Sequence, residues 1–196
     1  MFNNQIPWPA ARRIWRARIA RIAEWFLDGE TQRAVGTRVL TLEGGGAAVL
    51  DPLDFTLTVK ADRIDAGEDG ELLLYDYKTG APPSKAAQKA FDKQLLLTAA
   101  LAERGAFKGV RPAPVRAAAY IGLGTNPKVE AAPLAEMSPD QVLAELIQLI
   151  TRYLEPDQGF TARRALQKDS DPSDYDHLSR FGEWEVSDDP VPEDLT

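Results

Sequence analysis

Two carboxylates and a lysine are the residues of this chain whose types and spacing could do chemistry. Asp62 lies late in an alternating segment, Asp76 follows fourteen positions later, and Lys78 comes two residues after Asp76. Because residues two apart in a strand share a face, Asp76 and Lys78 should point the same way. Carboxylate oxygens are the ligands that Mg²⁺ prefers, and an ammonium group can stabilise charge on a phosphate. The set therefore predicts a metal-dependent phosphodiesterase site.

A β-hairpin is needed to bring these residues together. Residues 55–64 alternate between apolar and polar side chains, and 71–78 is predicted as the return strand after a turn at 67–70. Such a hairpin would place Asp62 near Asp76. Asp65 is three residues from Asp62, so the two point to opposite faces and only one of them can join Asp76. The hypothesis takes Asp62 and Asp76 as metal ligands, with Lys78 beside the attacking water.

The other segments predict an α/β fold with a mixed sheet flanked by helices. They are a helix over 9–28, a strand over 36–43 with a turn at Gly44-Gly45-Gly46, a short return strand over 47–50, a helix over 86–104, a strand over 115–123 and a helix from Ser138 to about 154.

The composition limits the possible functions. At 196 residues with 44% hydrophobic residues, the chain is expected to form one globular domain. It has no cysteine and one histidine, His177, which excludes thiolate and multi-histidine metal sites. No membrane span or signal peptide is evident, so a cytoplasmic location is expected. The net charge of −7 argues mildly against a free-standing nucleic-acid binder, although arginines crowd the first 21 residues.

Simpler interpretations of these residues stay open. Asp62 and Lys78 could form a surface ion pair of little energetic value in a structural α/β domain. Arg12 and Arg16 could hold DNA phosphates or line a solvated helix face. His177, in a polar segment, is expected to form structural hydrogen bonds.

The motifs together resemble the RecB-type nucleases of the PD-(D/E)XK superfamily, and among them the C-terminal nuclease domains of AddB-type subunits of bacterial AddAB helicase–nucleases. The resemblance covers about residues 8–185, which suggests a nuclease domain over 1–185 and an acidic, flexible tail over 186–196. The residues that carry it are Asp62-Arg63-Ile64-Asp65, Asp76-Tyr77-Lys78-Thr79-Gly80, Gln94-Leu95-Leu96-Leu97 and Tyr175-Asp176-His177-Leu178-Ser179-Arg180.

The resemblance implies roles for individual residues. Asp62, Asp76 and the backbone carbonyl of Tyr77 would bind Mg²⁺ or Mn²⁺, Lys78 would be the catalytic lysine, and Gln94 would orient lysine or water. It also implies exonuclease-type hydrolysis of DNA during double-strand break repair and recombination, together with an AddA-like helicase partner.

The chain departs from the family pattern at three points. No Gly-x-x-x-His motif precedes the first strand, so the helix that carries it is expected upstream of residue 1, with Glu24 as a possible substitute. Thr98 stands where the family often has tyrosine, and the cysteines of an iron–sulfur cluster are missing. The alternative is a non-catalytic or incomplete nuclease-fold module that docks a helicase or holds DNA.

Overall fold

The computed structural model describes residues 8–51, 53–159, 176–185, 187–189 and 191. The chain divides into two compact units, residues 1–144 and 145–196. The first unit contains the sheet and the residues predicted to do chemistry. Tyr175 and most of the predicted acidic tail, 186–196, lie outside the described residues.

A five-stranded sheet forms the centre of the first unit. Its strands lie in chain order and are β1 (Thr37–Leu50), β2 (Phe55–Gly67), β3 (Leu72–Lys78), β4 (Val115–Gly122) and β5 (Lys128–Ala131). The β3–β4 pair is parallel and the other pairs are antiparallel. The predicted mixed sheet is confirmed, and so is the β2–β3 hairpin with its turn before residue 71.

The described residues form four helices, which are α1 (Pro9–Ala34), α2 (Lys85–Ala90), α3 (Gln94–Glu103) and α4 (Pro139–Leu154). Proline at the first positions of α1 and α4 suits helix starts, because the missing N–H would have no partner there. The first and last helices occur where they are predicted, and α1 runs six residues further than expected, to Ala34. No described helix combines the length and the apolar character that a membrane span requires.

The prediction of a turn at Gly44-Gly45-Gly46 is wrong. The glycines lie inside β1, where Gly44 pairs with Ala61 and Gly46 pairs with Val59 of β2. A side chain at Gly46 would meet the ring of Phe107, since an added Cβ would lie 2.9 Å from two of its carbons. The return strand is therefore β2 and not residues 47–50, and the chain reverses between Leu50 and Phe55.

The predicted helix over 86–104 is also wrong, because it is two helices. Residues 91–93 leave the helical path, and the Tyr120 hydroxyl of β4 ties this break to the sheet. The sequence prediction missed β5 as well, which pairs with the end of β4 through Ala119–Gly122.

The sheet buries apolar residues on both faces. On one face Leu73, Tyr75, Ala119 and Ile121 form a cluster against which Trp25 of α1 packs. Alternation along the strands turns Leu72, Leu74, Asp76 and Lys78 to the other face, which α3 covers. α1 and the predicted catalytic residues therefore lie on opposite faces.

The second unit holds most of α4 and short turns. Within it, Trp184 Nε1 donates to the carbonyl of Ser179 at 2.7 Å, and the Phe181 and Trp184 rings meet edge to face.

Candidate active site

The two predicted metal-binding carboxylates lie side by side at the end of the paired region of β2 and β3. The paired positions run from Ala66↔Leu72 to Arg63↔Tyr75, so the next step sets Asp62 opposite Asp76. At this point the carboxylate of Asp62 accepts the Tyr77 N–H, 2.8 Å from its Oδ2. A side chain thus takes the place of a backbone acceptor, and the carboxylate is fixed at the end of the strand pair.

Asp76, Lys78 and Gln94 form a closed set of polar contacts. Gln94 Nε2 donates to Asp76 Oδ1 at 2.9 Å, and Lys78 Nζ donates to Gln94 Oε1 at 3.0 Å. Lys78 Nζ also lies 2.9 Å from Asp76 Oδ2 as an ion pair. The alternation of β3 gives Asp76 and Lys78 their common face, and the first residue of α3 supplies the amide that joins them.

The surroundings of Asp76 favour a cation. Burial raises the pKa of Asp76, the negative charges of Asp62 and Asp92 add to this rise, and Lys78 opposes it. Asp76 Oδ2 is fully buried and receives no aligned hydrogen bond, although the Lys78 ammonium is close. A buried carboxylate in this state is stabilised by added positive charge.

The donor set fits a hard divalent cation such as Mg²⁺. Asp62 and Asp76 offer carboxylate oxygens, and Mg²⁺ is commonly held by one or two carboxylates with several waters. Among the described residues, no group of three or more histidine, cysteine or acidic side chains is placed to hold a metal. The chain would therefore supply two carboxylates, with water or substrate oxygens for the remaining positions.

The Tyr120 ring packs against Lys78 of the Asp76, Lys78 and Gln94 set. Tyr120 is opposite Asp76 on the neighbouring strand, and its ring centroid lies 5.2 Å from Lys78 Nζ, within range of a cation–π contact. Its hydroxyl donates to Asp92 Oδ1 at 2.7 Å and accepts the Leu95 N–H at 3.3 Å. Burial raises the pKa of Tyr120, so the hydroxyl stays protonated. The sequence reasoning missed Tyr120, whose only signal was a tyrosine after three alanines in β4.

A second polar network lies behind the site, on the face covered by α1. Arg63 donates to both oxygens of Asp65, at 2.8 Å from Nε to Oδ1 and 2.5 Å from Nη2 to Oδ2. It also pairs with Glu30 of α1, and the Tyr77 hydroxyl donates to Glu30 Oε1 at 2.9 Å. The network joins α1 to the two strands that carry Asp62 and Asp76. Asp65 is thus occupied on the face opposite Asp76.

The remaining candidates are not brought to this cluster. Glu24 is exposed on α1, whose contacts are with the opposite face of the sheet. Arg12 and Arg16 lie near the start of the same helix, half-buried and exposed respectively, and a role for them in DNA binding stays a prediction. His177 is exposed in the second unit, where its carbonyl accepts the Arg180 N–H at 3.4 Å.

Fold and site together define an α/β protein with a restriction-endonuclease-like core and paired carboxylates beside a lysine. The chain matches the PD-(D/E)XK nuclease superfamily over residues 2–177, and it belongs to that superfamily. This membership suggests nuclease activity with DNA as the substrate, and nucleases of the superfamily usually use divalent metals. No match to the chain was found among curated proteins.

Proposed function

We propose that the chain is a deoxyribonuclease that hydrolyses DNA phosphodiesters, in an exonuclease mode, with Mg²⁺ or Mn²⁺. The observation that carries the proposal is the bridge made by Gln94, which contacts both Asp76 and Lys78. Gln94 fixes the Asp76 carboxylate and the Lys78 ammonium relative to each other. The second carboxylate, that of Asp62, lies beside them at the end of the β2–β3 pair. Such an arrangement has little use in a purely structural domain, because Gln94 and Lys78 are partly exposed there.

Each residue has a role that follows from its contacts. Asp62, Asp76 and the carbonyl of Tyr77 would hold the metal, since the N–H and C=O of one strand residue point to the same side and the Tyr77 N–H already meets Asp62. When bound, a divalent ion acidifies a water molecule and offsets phosphate charge. The Lys78 ammonium would stabilise the developing charge on the phosphate, and Gln94 would hold Lys78 in place.

We also propose a place for this activity in double-strand break repair and recombination, beside an AddA-like helicase partner. The support is the resemblance of the aspartate, Asp-Tyr-Lys-Thr-Gly and glutamine motifs to AddB-type nuclease domains, and the superfamily match over residues 2–177. In this proposal the helicase partner delivers single-stranded DNA to the candidate active site.

A non-catalytic module is the second candidate. The observation in its favour is that Asp62 and Asp76 are not joined by a third carboxylate or histidine among the described residues. Such a module would keep the fold and hold DNA or a helicase, without binding metal at physiological concentration.

Metal binding separates the two candidates. Titration calorimetry with Mn²⁺ should show binding to the wild type that Asp76→Asn removes. Asp69→Asn, in the exposed turn before β3, is the matched control and should bind as the wild type does. Wild-type protein that is folded but takes up no Mn²⁺, with or without DNA, would support the non-catalytic module.

A further inference from the structure

A row of three lysines leads away from the candidate active site. Lys85 and Lys89 are four residues apart on α2, which places them on one face of the helix. Lys93 continues the spacing and directly precedes Gln94, the residue that holds Asp76 and Lys78. Lys93 Nζ donates to the backbone carbonyl of Lys89, so the Lys93 side chain lies against the last turn of α2.

Two of these lysines converge on one carboxylate. Lys85 Nζ pairs with Glu136 Oε1, and Lys89 Nζ pairs with Glu136 Oε2. Glu136 lies in the segment between β5 and α4, and the next residue, Met137, accepts a contact from Lys93 Nζ at 3.5 Å. Hydrogen bonds from Lys85 and Lys89 lower the pKa of Glu136, so it is ionised at neutral pH. Each carboxylate oxygen thus has its own ammonium partner.

This ion-pair cluster contributes little to stability. The side chains of Lys85, Lys89 and Glu136 are 54%, 42% and 41% exposed, and ion pairs this exposed to solvent contribute little. Two ammonium groups that each hold one oxygen of a single anion would equally suit the two non-bridging oxygens of a phosphodiester. A chain with a net charge of −7 also needs local basic sites to hold a polyanion.

We infer that Lys85 and Lys89 form a binding site for a DNA backbone phosphate next to the active site, and that Glu136 occupies this site until DNA displaces it. The inference rests on the proposed function, because it deepens the account of how the substrate is held. In this account Glu136 competes with the DNA phosphate for Lys85 and Lys89. This competition lowers DNA affinity and favours strands that reach both lysines.

Fluorescence anisotropy with a labelled single-stranded oligonucleotide tests the inference, in Ca²⁺ to limit cleavage and over a series of salt concentrations. Lys89→Ala should weaken binding and reduce the slope of log K against log salt by about 0.7, the value for one lost phosphate contact on a single strand. Glu136→Gln should tighten binding about three- to fivefold, the equivalent of an exposed ion pair. The controls are Arg116→Ala and Glu71→Gln, an exposed pair at the opposite end of β3 and β4 that matches both charge changes.

Three results would overturn the inference. One is equal tightening by Glu136→Gln and Glu71→Gln, which would show an effect of net charge alone. Another is a lower Tm for Glu136→Gln with unchanged affinity, which would show a structural ion pair. The third is an unchanged salt slope for Lys89→Ala.

Cleavage by the same proteins in Mn²⁺ separates these failures from that of the proposed function. A protein that cleaves DNA but shows any of these results retains the nuclease function, and only the proposed phosphate site is then wrong. Wild type that neither binds nor cleaves DNA contradicts both.

Discussion

Gln94 donates a hydrogen bond from Nε2 to Oδ1 of Asp76 over 2.9 Å, and this contact joins the start of α3 to the end of β3. The same side chain accepts a hydrogen bond from Lys78. The geometry of the candidate active site therefore depends on where α3 begins. Residues that set this start, although they do not touch a substrate, should affect activity.

Replacing Gln94 by alanine should lower activity without loss of the fold. Lys78 and Asp76 would lose their common partner, and misplacement of a catalytic group by about 1 Å can cost about 100-fold in rate. We expect kcat to fall by about 10- to 100-fold, and the Tm to fall modestly because the buried Asp76 loses a hydrogen-bond partner. Steady-state cleavage assays measure this, with Gln32→Ala on the exposed side of α1 as the control. Equal kcat for both variants would mean that Gln94 has no role in catalysis.

Replacing Tyr120 by phenylalanine should affect both stability and activity. The ring stays beneath Lys78, but Asp92 and the Leu95 N–H lose their partner. A buried group left without a hydrogen bond costs about 1–3 kcal/mol, which urea denaturation would detect. Cleavage should fall as well, since the start of α3 is held less firmly. A stability loss of less than about 1 kcal/mol for Tyr120→Phe would contradict the prediction.

Glu30 should make stability depend on pH in the acid range. Burial raises the pKa of Glu30, but hydrogen bonds from Arg33, Tyr77 and Arg63 outweigh it, and the net pKa lies below its ordinary value of 4.5. A carboxylate with a lowered pKa stabilises the fold at pH values above its unfolded pKa, and this contribution is lost as the pH falls through its folded pKa.

The variant Glu30→Gln tests this pH dependence. It should be less stable than the wild type by about 1–3 kcal/mol at pH 7, as expected for hydrogen bonds to a charged group. The difference should begin to shrink as the pH falls below the ordinary pKa of 4.5, and it should disappear once the pH has passed the lower folded pKa, where Glu30 is neutral as glutamine is. Urea denaturation over a pH series measures it. Glu24→Gln, exposed on the same helix, is the control for this change of side chain. A stability difference for Glu30→Gln that stays constant with pH would contradict the assignment.

The glycines of β1 offer a matched pair of substitutions. Gly46→Ala would place a Cβ 2.9 Å from the Phe107 ring, and such overpacking costs about 1–3 kcal/mol. Gly45→Ala meets nothing within 4 Å and should stabilise the strand by about 0.5–1 kcal/mol. Thermal or urea denaturation of the two variants checks the opposite signs. A similar effect of both would mean that Phe107 does not lie against Gly46.

Local sequence pattern was enough to predict the hairpin that carries Asp62 and Asp76. Alternation fixes which side chains share a face, and the Gly-rich turn fixes the register of the return strand. The pairing of Arg63 with Tyr75, which sets Asp62 opposite Asp76, follows from these two facts. The contact between Gln94 and Asp76 needed the resemblance to a family, because nothing local relates a helix start to a strand end.

The errors of sequence prediction lie where distant residues decide the local structure. Gly46 is a strand residue because Phe107, sixty-one positions away, occupies the space of its side chain. The helix break before Gln94 depends on the hydroxyl of Tyr120 and contains neither proline nor glycine. β5 has only four residues and depends on β4 for its pairing, so it leaves almost no periodic signal.

The most direct test of the account is cleavage of linear single- and double-stranded DNA in Mg²⁺ or Mn²⁺ by the wild type and by Lys78→Ala. The exposed Lys108→Ala is the control for loss of one positive charge. The account predicts metal-dependent cleavage by the wild type and Lys108→Ala, and a loss of about 100-fold or more in Lys78→Ala. Wild-type protein that is folded and binds DNA but leaves it intact, or Lys78→Ala protein that cleaves as fast as the wild type, would contradict it.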